Sequence, residues 1–230
     1  SVGTRDHTEG FGEDYELPNA TAYAESCAAN GLIDFAHRMF TLERTVECAD
    51  VMERIIYNAL LHSISLDGKT TYYKNRLSDK DNPRNNCWVC CPPSITRTLF
   101  RLGRYAYGHS AKDIWINLFV AGTATVPLAG GAVDLRVATD YPWDGRVTWT
   151  VTGTPATRWA LHLRIPAWCR SAKLTLNGRK VSALPSGRTD EGYVRIARTW
   201  KPGDTLELVM EMPVERIEAH PAVADCVGKV

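Results

Sequence analysis

The apolar positions along the chain change their period near residue 110. Before that point they recur three or four residues apart, which is the spacing of an amphipathic helix. This spacing predicts helices over 22–43 and 44–63, and a third that opens at Pro92-Pro93, because proline is tolerated in a first helical turn. The predicted buried stripes are Leu32, Phe35, Ala36, Met39 and Phe40, then Ala49, Met52, Ile56, Leu60 and Ser63, and finally Ile95, Leu99, Leu102 and Tyr105/Ala106.

After His109 the apolar positions alternate with polar ones, as they do in half-buried strands. Turn signals such as Asp144-Gly145 and Asn177-Gly178 separate the alternating runs. The predicted strands are 113–120, 131–138, 146–152, 158–165, 172–176, 192–198 and 204–212. Seven short strands in about 100 residues are typical of an antiparallel β-sandwich. The expected class is therefore α+β, with a helical part that precedes a sandwich.

Composition and charge exclude several classes of protein. The 230 residues carry 27 Lys and Arg against 26 Asp and Glu, so a net charge of +1 argues against a nucleic-acid-binding face. No apolar run approaches the roughly 20 residues that span a bilayer, so we expect no membrane protein. The first ten residues have neither the basic nor the apolar segment of a signal peptide, which predicts a cytoplasmic location. Neither end closes an element, so we expect a piece of a longer protein.

Seven cysteines are distributed unlike a disulfide framework, because three of them fall within five residues: Cys87, Cys90 and Cys91. Zinc takes thiolate and carboxylate ligands, and Cys90-Cys91 with Glu25 and Cys27 would supply four. Positions two apart on a regular helix point about 200° away from each other, so Glu25 and Cys27 share an ion only at a helix end or in an extended segment. Buried cysteines, or a closed structural zinc site, are the alternatives.

Two further side chains are candidates for a site. Glu53 falls on the apolar stripe of the second predicted helix, where a carboxylate is costly unless it is paired or functional. A salt bridge to Arg54 is the simpler explanation. Tyr73 lies in the short segment 71–75, which we expect to be a strand or an extended link, and packing is its simpler role.

An ordered set of motifs resembles glycoside hydrolase family 127, the β-L-arabinofuranosidase family. The resemblance covers essentially the whole chain and is strongest over 9–107. Its motifs are Glu9-Gly10-Phe11, Tyr15-Glu16-Leu17-Pro18-Asn19, Ala22-Tyr23-Ala24-Glu25-Ser26-Cys27-Ala28, Ala36-His37-Arg38-Met39, Ala49-Asp50-Val51-Met52-Glu53-Arg54 and Cys90-Cys91-Pro92-Pro93.

The resemblance implies an (α/α)6 helical barrel that carries the site, followed by β-sandwiches. Residues 1–108 would be the C-terminal part of the barrel, 109–212 an antiparallel sandwich and 213–230 the start of a further β-module. It also implies a role for each motif residue. Glu25, Cys27, Cys90 and Cys91 look like zinc ligands, Cys90 like the nucleophile and Glu9 like the general acid/base. Glu53 and Tyr73 look like contacts to the sugar or the nucleophile.

The resemblance implies a retaining glycosidase that removes terminal β-L-arabinofuranosyl residues from carbohydrates. Two alternatives stay open: a zinc-stabilised carbohydrate-binding or interaction module without activity, and a glycosidase for a related pentose or deoxy sugar. No nucleic-acid or membrane partner is expected, and a homodimer is compatible with the sequence. Residues 1–230 produced alone are expected to expose apolar helical surface and to be inactive.

Overall fold

The computed structural model describes residues 10–78, 90–181 and 192–229. These residues form two compact units. The first contains Ser1–Phe35, Met52–Phe100 and Val214–Val230, and the second contains Ala36–Val51 and Arg101–Pro213. Because the units interleave along the chain, the linear boundaries at 108 and 212 stay a prediction. Across the described ranges, no helix combines the length and the apolarity that crossing a membrane requires.

The helical elements follow the three predicted segments closely. They are α1 (Ser26–Glu43), α2 (Val46–Ile55), a π-helical turn (Ile56–Leu60), α3 (Cys91–Phe100) and α4 (Leu102–Ala106). The helix α1 ends where Arg44 adopts a left-handed φ of 56°, and its N–H still bonds the carbonyl of Phe40 at 2.9 Å. Two prolines fit in the first turn of α3 because the N–H groups there have no partner within a helix.

The buried face of α1 differs from the predicted stripe. Ala36 and Phe40 are buried as expected, but Leu32 and Phe35 are 39% and 59% exposed, and Ile33 is buried instead. The apolar residues of α1 spread over a wide arc around the helix, and this arc includes two possible buried faces. Their spacing alone therefore did not identify which face is buried. The stripe of the second predicted helix is confirmed, since all five of its residues from Ala49 to Ser63 are buried.

Among the described residues, ten strands build two sheets, all within the second unit. They are β1 (Tyr107–His109), β2 (Asp113–Ile116), β3 (Gly122–Leu128), β4 (Gly131–Thr139), β5 (Arg146–Gly153), β6 (Arg158–Arg164), β7 (Ala172–Leu176), β8 (Arg179–Lys180), β9 (Tyr193–Thr199) and β10 (Thr205–Met210). The first sheet has the order β1-β2-β6-β9 and the second the order β3-β4-β5-β10-β7-β8. The sandwich is not wholly antiparallel, because β2 runs parallel to β6, with Ile114 opposite Leu161.

The two sheets share one apolar core. In β4 the buried residues alternate as the period of two predicts, with Val133, Leu135 and Val137 inside. Facing residues of the first sheet join them, and the main members of this core are Ile114, Ile116, Leu161, Leu163, Val194, Val147, Trp149, Val151, Leu206 and Leu208. The predicted sandwich is therefore confirmed as a pair of packed sheets.

Three strands escaped the sequence prediction: β1, β3 and β8. β1 and β8 are only three and two residues long, too short to show a period. β3 contains Pro127, which has no N–H to donate to a neighbouring strand and therefore argues against a strand in the interior of a sheet. The topology explains its presence, because β3 is an edge strand that pairs with β4 alone.

The remaining architectural predictions are not tested by these elements. Four helices and one π-helical turn among the described residues do not by themselves make an (α/α)6 barrel, so the barrel stays a prediction. Residues 214–229 contain one short 3-10 helix, Ala224–Cys226, and no strand. The further β-module that the sequence predicted there also stays a prediction.

Candidate metal centre

Glu25 and Cys27 lie at the junction between an extended segment and a helix. Ala24 has a left-handed φ of 40°, Glu25 pairs with Lys74 in an isolated antiparallel bridge, and α1 begins at Ser26. The N–H of Ser26 bonds the carbonyl of Tyr73 at 2.9 Å, and the N–H of Asn75 bonds the carbonyl of Ala24 at 3.0 Å. Since Glu25 is outside the helix, the 200° separation of a regular helix does not apply, and both side chains reach the same point.

Cys90 and Cys91 open α3. The carbonyl of Cys90 accepts the first helical bond from the N–H of Ser94 at 3.2 Å. Cys91 is completely buried, whereas Cys90 is exposed. The positive end of the helix dipole lies at these two residues and favours negative charge on their sulfurs. Adjacent cysteines of one pair thus have opposite exposures at one helix terminus.

The four side chains converge in the first unit. Their ligand atoms all lie within 4.8 Å of one another. Cys91 Sγ is 3.3 Å from Cys27 Sγ and 3.8 Å from Cys90 Sγ. Oε1 of Glu25 is 3.9 Å from Cys91 Sγ and 4.0 Å from Cys90 Sγ. The four residues that the sequence singled out as ligands are therefore brought together.

The donor set fits a thiolate-binding divalent cation. Tetrahedral zinc with Zn–S bonds near 2.3 Å separates its sulfur ligands by about 3.8 Å. The distances from Cys91 Sγ to the sulfurs of Cys27 and Cys90, 3.3 Å and 3.8 Å, lie within about half an ångström of this value. Burial, followed by the hydrogen bond with Cys27, raises the pKa of Cys91 above its ordinary value of 9.0. Burial therefore favours a neutral thiol at Cys91, and a bound cation would reverse this preference.

A polar network behind the cluster was not anticipated from the sequence. Ser26, which lies between the two ligands, has its Oγ 2.9 Å from Ser63 Oγ and also bonds the carbonyl of Tyr72. The side-chain amide of Asn75 donates to both serine hydroxyls at 3.0 Å. The hydroxyl of Ser63 donates to the carbonyl of Ala59 at 2.6 Å. The one signal of this network in the sequence was Ser63, a serine on the otherwise apolar stripe of the second predicted helix.

The other predicted site residues have different surroundings. Glu53 is 5% exposed, so its carboxylate is buried, and the salt bridge to Arg54 stays an alternative. Tyr73 shares a 2.7 Å hydrogen bond with the hydroxyl of Tyr23. That bond, burial and the negative charges of Glu25 and Cys90 raise the pKa of Tyr73 above its ordinary 10.0. Glu9, the predicted acid/base, lies outside the described residues.

Comparison with known families assigns both parts of the chain. Residues 1–104 match the family model "Beta-L-arabinofuranosidase, GH127 catalytic domain". Residues 113–212 match "Beta-L-arabinofuranosidase, GH127 middle domain". The two matched segments together span nearly the entire sequence, in the order in which the helical and sandwich parts occur.

Individual relatives agree with the family models. The chain is 35% identical to the non-reducing end β-L-arabinofuranosidase of Bifidobacterium longum subsp. longum, over all of this chain and 37% of that protein. A crystal structure of a β-L-arabinofuranosidase of the same family from Geobacillus stearothermophilus superposes with a TM-score of 0.85 at 38% identity, covering 95% of this chain and 36% of that one.

A solved β-arabinofuranosidase structure of this family gives a TM-score of 0.89 at 31% identity, covering 97% of this chain and 38% of that one. The chain thus spans little more than a third of the length of these relatives. Taken with both family models, these similarities show that the chain belongs to glycoside hydrolase family 127.

Proposed function

We propose that the whole protein is a retaining glycoside hydrolase that removes terminal β-L-arabinofuranosyl residues, with Cys90 as its nucleophile. One observation carries the proposal: an exposed Cys90 sulfur beside a buried Cys91 sulfur and a carboxylate, in a chain of this family. Of these two sulfurs, that of Cys90 is the one accessible to a sugar. Relatives that are named as β-L-arabinofuranosidases support the substrate class.

Glu25, Cys27, Cys90 and Cys91 would hold a zinc ion. When bound, zinc would keep Cys90 as a thiolate at neutral pH and fix the position of its sulfur. The N-terminus of α3 acts in the same direction, because the partial positive charge at the start of a helix favours negative charge on Cys90. Cys91 and Cys27, 3.3 Å apart, have the role of anchoring ligands and not of reacting groups.

The first chemical step would break the glycosidic bond. The Cys90 sulfur attacks the anomeric carbon, a C–S bond forms, and the C–O bond to the leaving group breaks. Glu9, which the family resemblance assigns as general acid, gives its proton to the departing oxygen. In the second step water attacks the same carbon, the C–S bond breaks, and the Glu9 carboxylate accepts the proton of the water. Two inversions give net retention.

Tyr73 and Glu53 would contact the sugar or the nucleophile. The charges of Glu25 and Cys90 contribute to the raised pKa of Tyr73, so the phenol of Tyr73 lies near the reacting sulfur. Its hydroxyl stays protonated and can donate a hydrogen bond. Glu53 is a buried carboxylate, and burial of a carboxylate is costly without a function or a partner that compensates for it.

The decisive experiment replaces the nucleophile in the whole protein. Cys90→Ser should lower turnover of an aryl β-L-arabinofuranoside by at least about 10³-fold, because a hydroxyl is a far weaker nucleophile than a thiolate. Cys48→Ser is the matched control, since Cys48 is half-buried in the second unit and hydrogen-bonds Thr45. If Cys90→Ser retains more than a tenth of the activity, the cysteine cluster is structural and the non-catalytic alternative is favoured.

Aryl glycosides of related pentoses and deoxy sugars, assayed in parallel, test the substrate. A preference of at least tenfold in kcat/KM for the arabinofuranoside supports the proposal. A higher kcat/KM for another sugar would show that the same cysteine chemistry acts on that sugar, and the substrate assignment would change accordingly.

A further inference from the structure

The second unit contains a pocket of about 550 Å³ that the glycosidase proposal does not use. Its walls are the last turns of α1 with Arg44, the segment 103–109, and the segment 120–127 that includes most of β3. No residue of the cysteine cluster lines it. Its volume falls within the range of roughly 300–1,000 Å³ that small-molecule sites occupy.

Charge is the unusual property of this pocket. Two arginines, Arg44 and Arg104, and two histidines, His37 and His109, line it, and no Asp or Glu among the described residues does. Within the described ranges neither Arg44 nor Arg104 has a carboxylate at ion-pair distance. Guanidinium groups in a concave site without an acidic partner are complementary to a carboxylate or a phosphate.

Arg44 is held in place by an aromatic ring. Its guanidinium carbon lies 4.1 Å from the centre of the Trp115 ring. Stacking uses the face of the planar guanidinium and leaves its N–H groups available at the edge. Trp115 in turn stacks against the ring of His162, and the two ring centres are 4.5 Å apart. One cation of the pocket is therefore preorganised, which lowers the entropy lost on binding an anion.

The rest of the lining suits a sugar ring. Val120, Ala121 and Pro127 are exposed and offer apolar surface for the C–H groups of a ring. Thr41 and Thr123 are exposed in the pocket and offer hydroxyls. A ligand that satisfies both sets of groups has one anionic substituent and several hydroxyls.

We propose that this pocket binds an anionic monosaccharide, through Arg44 and Arg104 on its carboxylate or phosphate. The site is separate in its residues from the glycosidase chemistry, so its existence does not depend on the assignment of Cys90. Acidic sugars are a chemical class that accompanies neutral sugars in polysaccharides, and a site of this kind would let the protein recognise them.

Calorimetric titration of the whole protein tests the proposal with three probes: glucuronate, glucose 6-phosphate and neutral glucose. At least one anionic sugar should bind, glucose should bind at least about tenfold more weakly, and the affinity should fall as salt rises. Binding of glucuronate alone identifies a carboxylate site, and binding of glucose 6-phosphate alone a phosphate site. Equal binding of glucose, or no binding of either anion, overturns the proposal.

Arg104→Gln locates the site. Arg104 is exposed on α4, so the variant should fold, and loss of its charged hydrogen bonds should weaken binding by about 10- to 100-fold. Arg179→Gln is the matched control, because Arg179 is exposed on β8, at the edge of the six-stranded sheet opposite β3. Binding unchanged in Arg104→Gln, or equally weakened in Arg179→Gln, would place the anion elsewhere and overturn the assignment.

Discussion

Ser26 illustrates how a single residue can decide the geometry of two ligands. It is 1% exposed, lies between Glu25 and Cys27, and connects them through its hydroxyl to Ser63 and to the backbone of 72–73. Polar groups that orient ligands from behind in this way influence metal affinity without touching the ion. We therefore expect the short polar network to influence how the cluster holds a metal ion.

Replacing Ser26 by alanine should weaken zinc binding by about 10- to 100-fold, because the side-chain amide of Asn75 loses an acceptor and the 25–27 segment loses its anchor. Competition with a chromophoric chelator measures the change. Ser65→Ala is the control, since the Ser65 hydroxyl also makes a short hydrogen bond, to Asp67, but outside the cluster. Equal zinc affinity in wild type and Ser26→Ala would remove Ser26 from the site.

Asp204 is a second residue with a measurable role, because its contribution to the stability of the fold should depend on pH. Burial alone would raise the pKa of its carboxyl. Hydrogen bonds from the side chain of Asn177 at 2.8 Å and from the N–H of Lys201 at 2.9 Å, with the charge of Arg198, outweigh burial and hold the pKa below 3.8. A carboxyl with a lowered folded-state pKa stabilises the fold above its unfolded pKa and loses that contribution as the pH falls.

Asp204→Asn should therefore lower the free energy of unfolding by about 1–3 kcal/mol at pH 7. The difference from wild type should shrink below pH 3.8 and continue to shrink as the folded-state carboxyl is protonated. Urea denaturation at a series of pH values measures it. The exposed Glu211→Gln, in the same unit, should change stability by less than about 0.5 kcal/mol. A difference independent of pH would contradict the linkage.

At the scale of elements, one ion pair fastens α2 to the end of β6 within the second unit. Arg164 is completely buried, and its Nη1 donates to Asp50 Oδ1 at 2.9 Å. The second oxygen of Asp50 accepts the N–H of Ala167 at 3.2 Å. The guanidinium also lies over the ring of Phe119, 5.1 Å from its centre. This pair is costly to bury and more costly to break.

Asp50→Asn should destabilise the second unit by about 3 kcal/mol, because it removes a negative charge that is ion-paired with the completely buried guanidinium of Arg164. The matched control is Glu47→Gln, an exposed carboxylate one turn earlier on the same helix, whose loss should be nearly neutral. Thermal unfolding followed by the near-ultraviolet signal of the sandwich tryptophans reports the change. A loss below 1 kcal/mol would show that the pair contributes little.

At the scale of the whole molecule, the fold contains two units whose dependence on metal should differ. All four cluster ligands belong to the first unit, and the apolar core of the sandwich belongs to the second. Metal that binds only the folded state adds its binding free energy to the stability of the part it holds together. The sandwich core has no such requirement, because its two sheets bury each other.

Removal of zinc with a strong chelator should accelerate amide hydrogen exchange in 26–35, 72–75 and 91–100, and leave β4, β5 and β6 unchanged. Cys27→Ser should exchange like the chelated wild type and respond no further to the chelator. Uniform acceleration in both units, or none, would contradict a metal centre confined to the first unit.

The amino-acid sequence by itself determined the change from helical to alternating period, the second helical stripe, seven strands and the four residues of the cluster. These follow from local spacing and residue chemistry, which act within one element. The family resemblance is likewise confirmed. Only the tertiary structure decided which face of α1 is buried, since Leu32 and Ile33 are equally apolar and burial depends on the neighbouring elements.

Tertiary structure also decided that β3 is a strand despite Pro127, because its place at a sheet edge leaves the missing N–H without cost. It decided the parallel pairing of β2 with β6, which joins residues nearly fifty positions apart. Tertiary structure likewise decided the opposite exposures of Cys90 and Cys91, and the hydrogen bonds that Asn75 donates to Ser26 and Ser63. Contacts between distant segments depend on how whole elements pack, and this information is absent from the spacing of residues within each element.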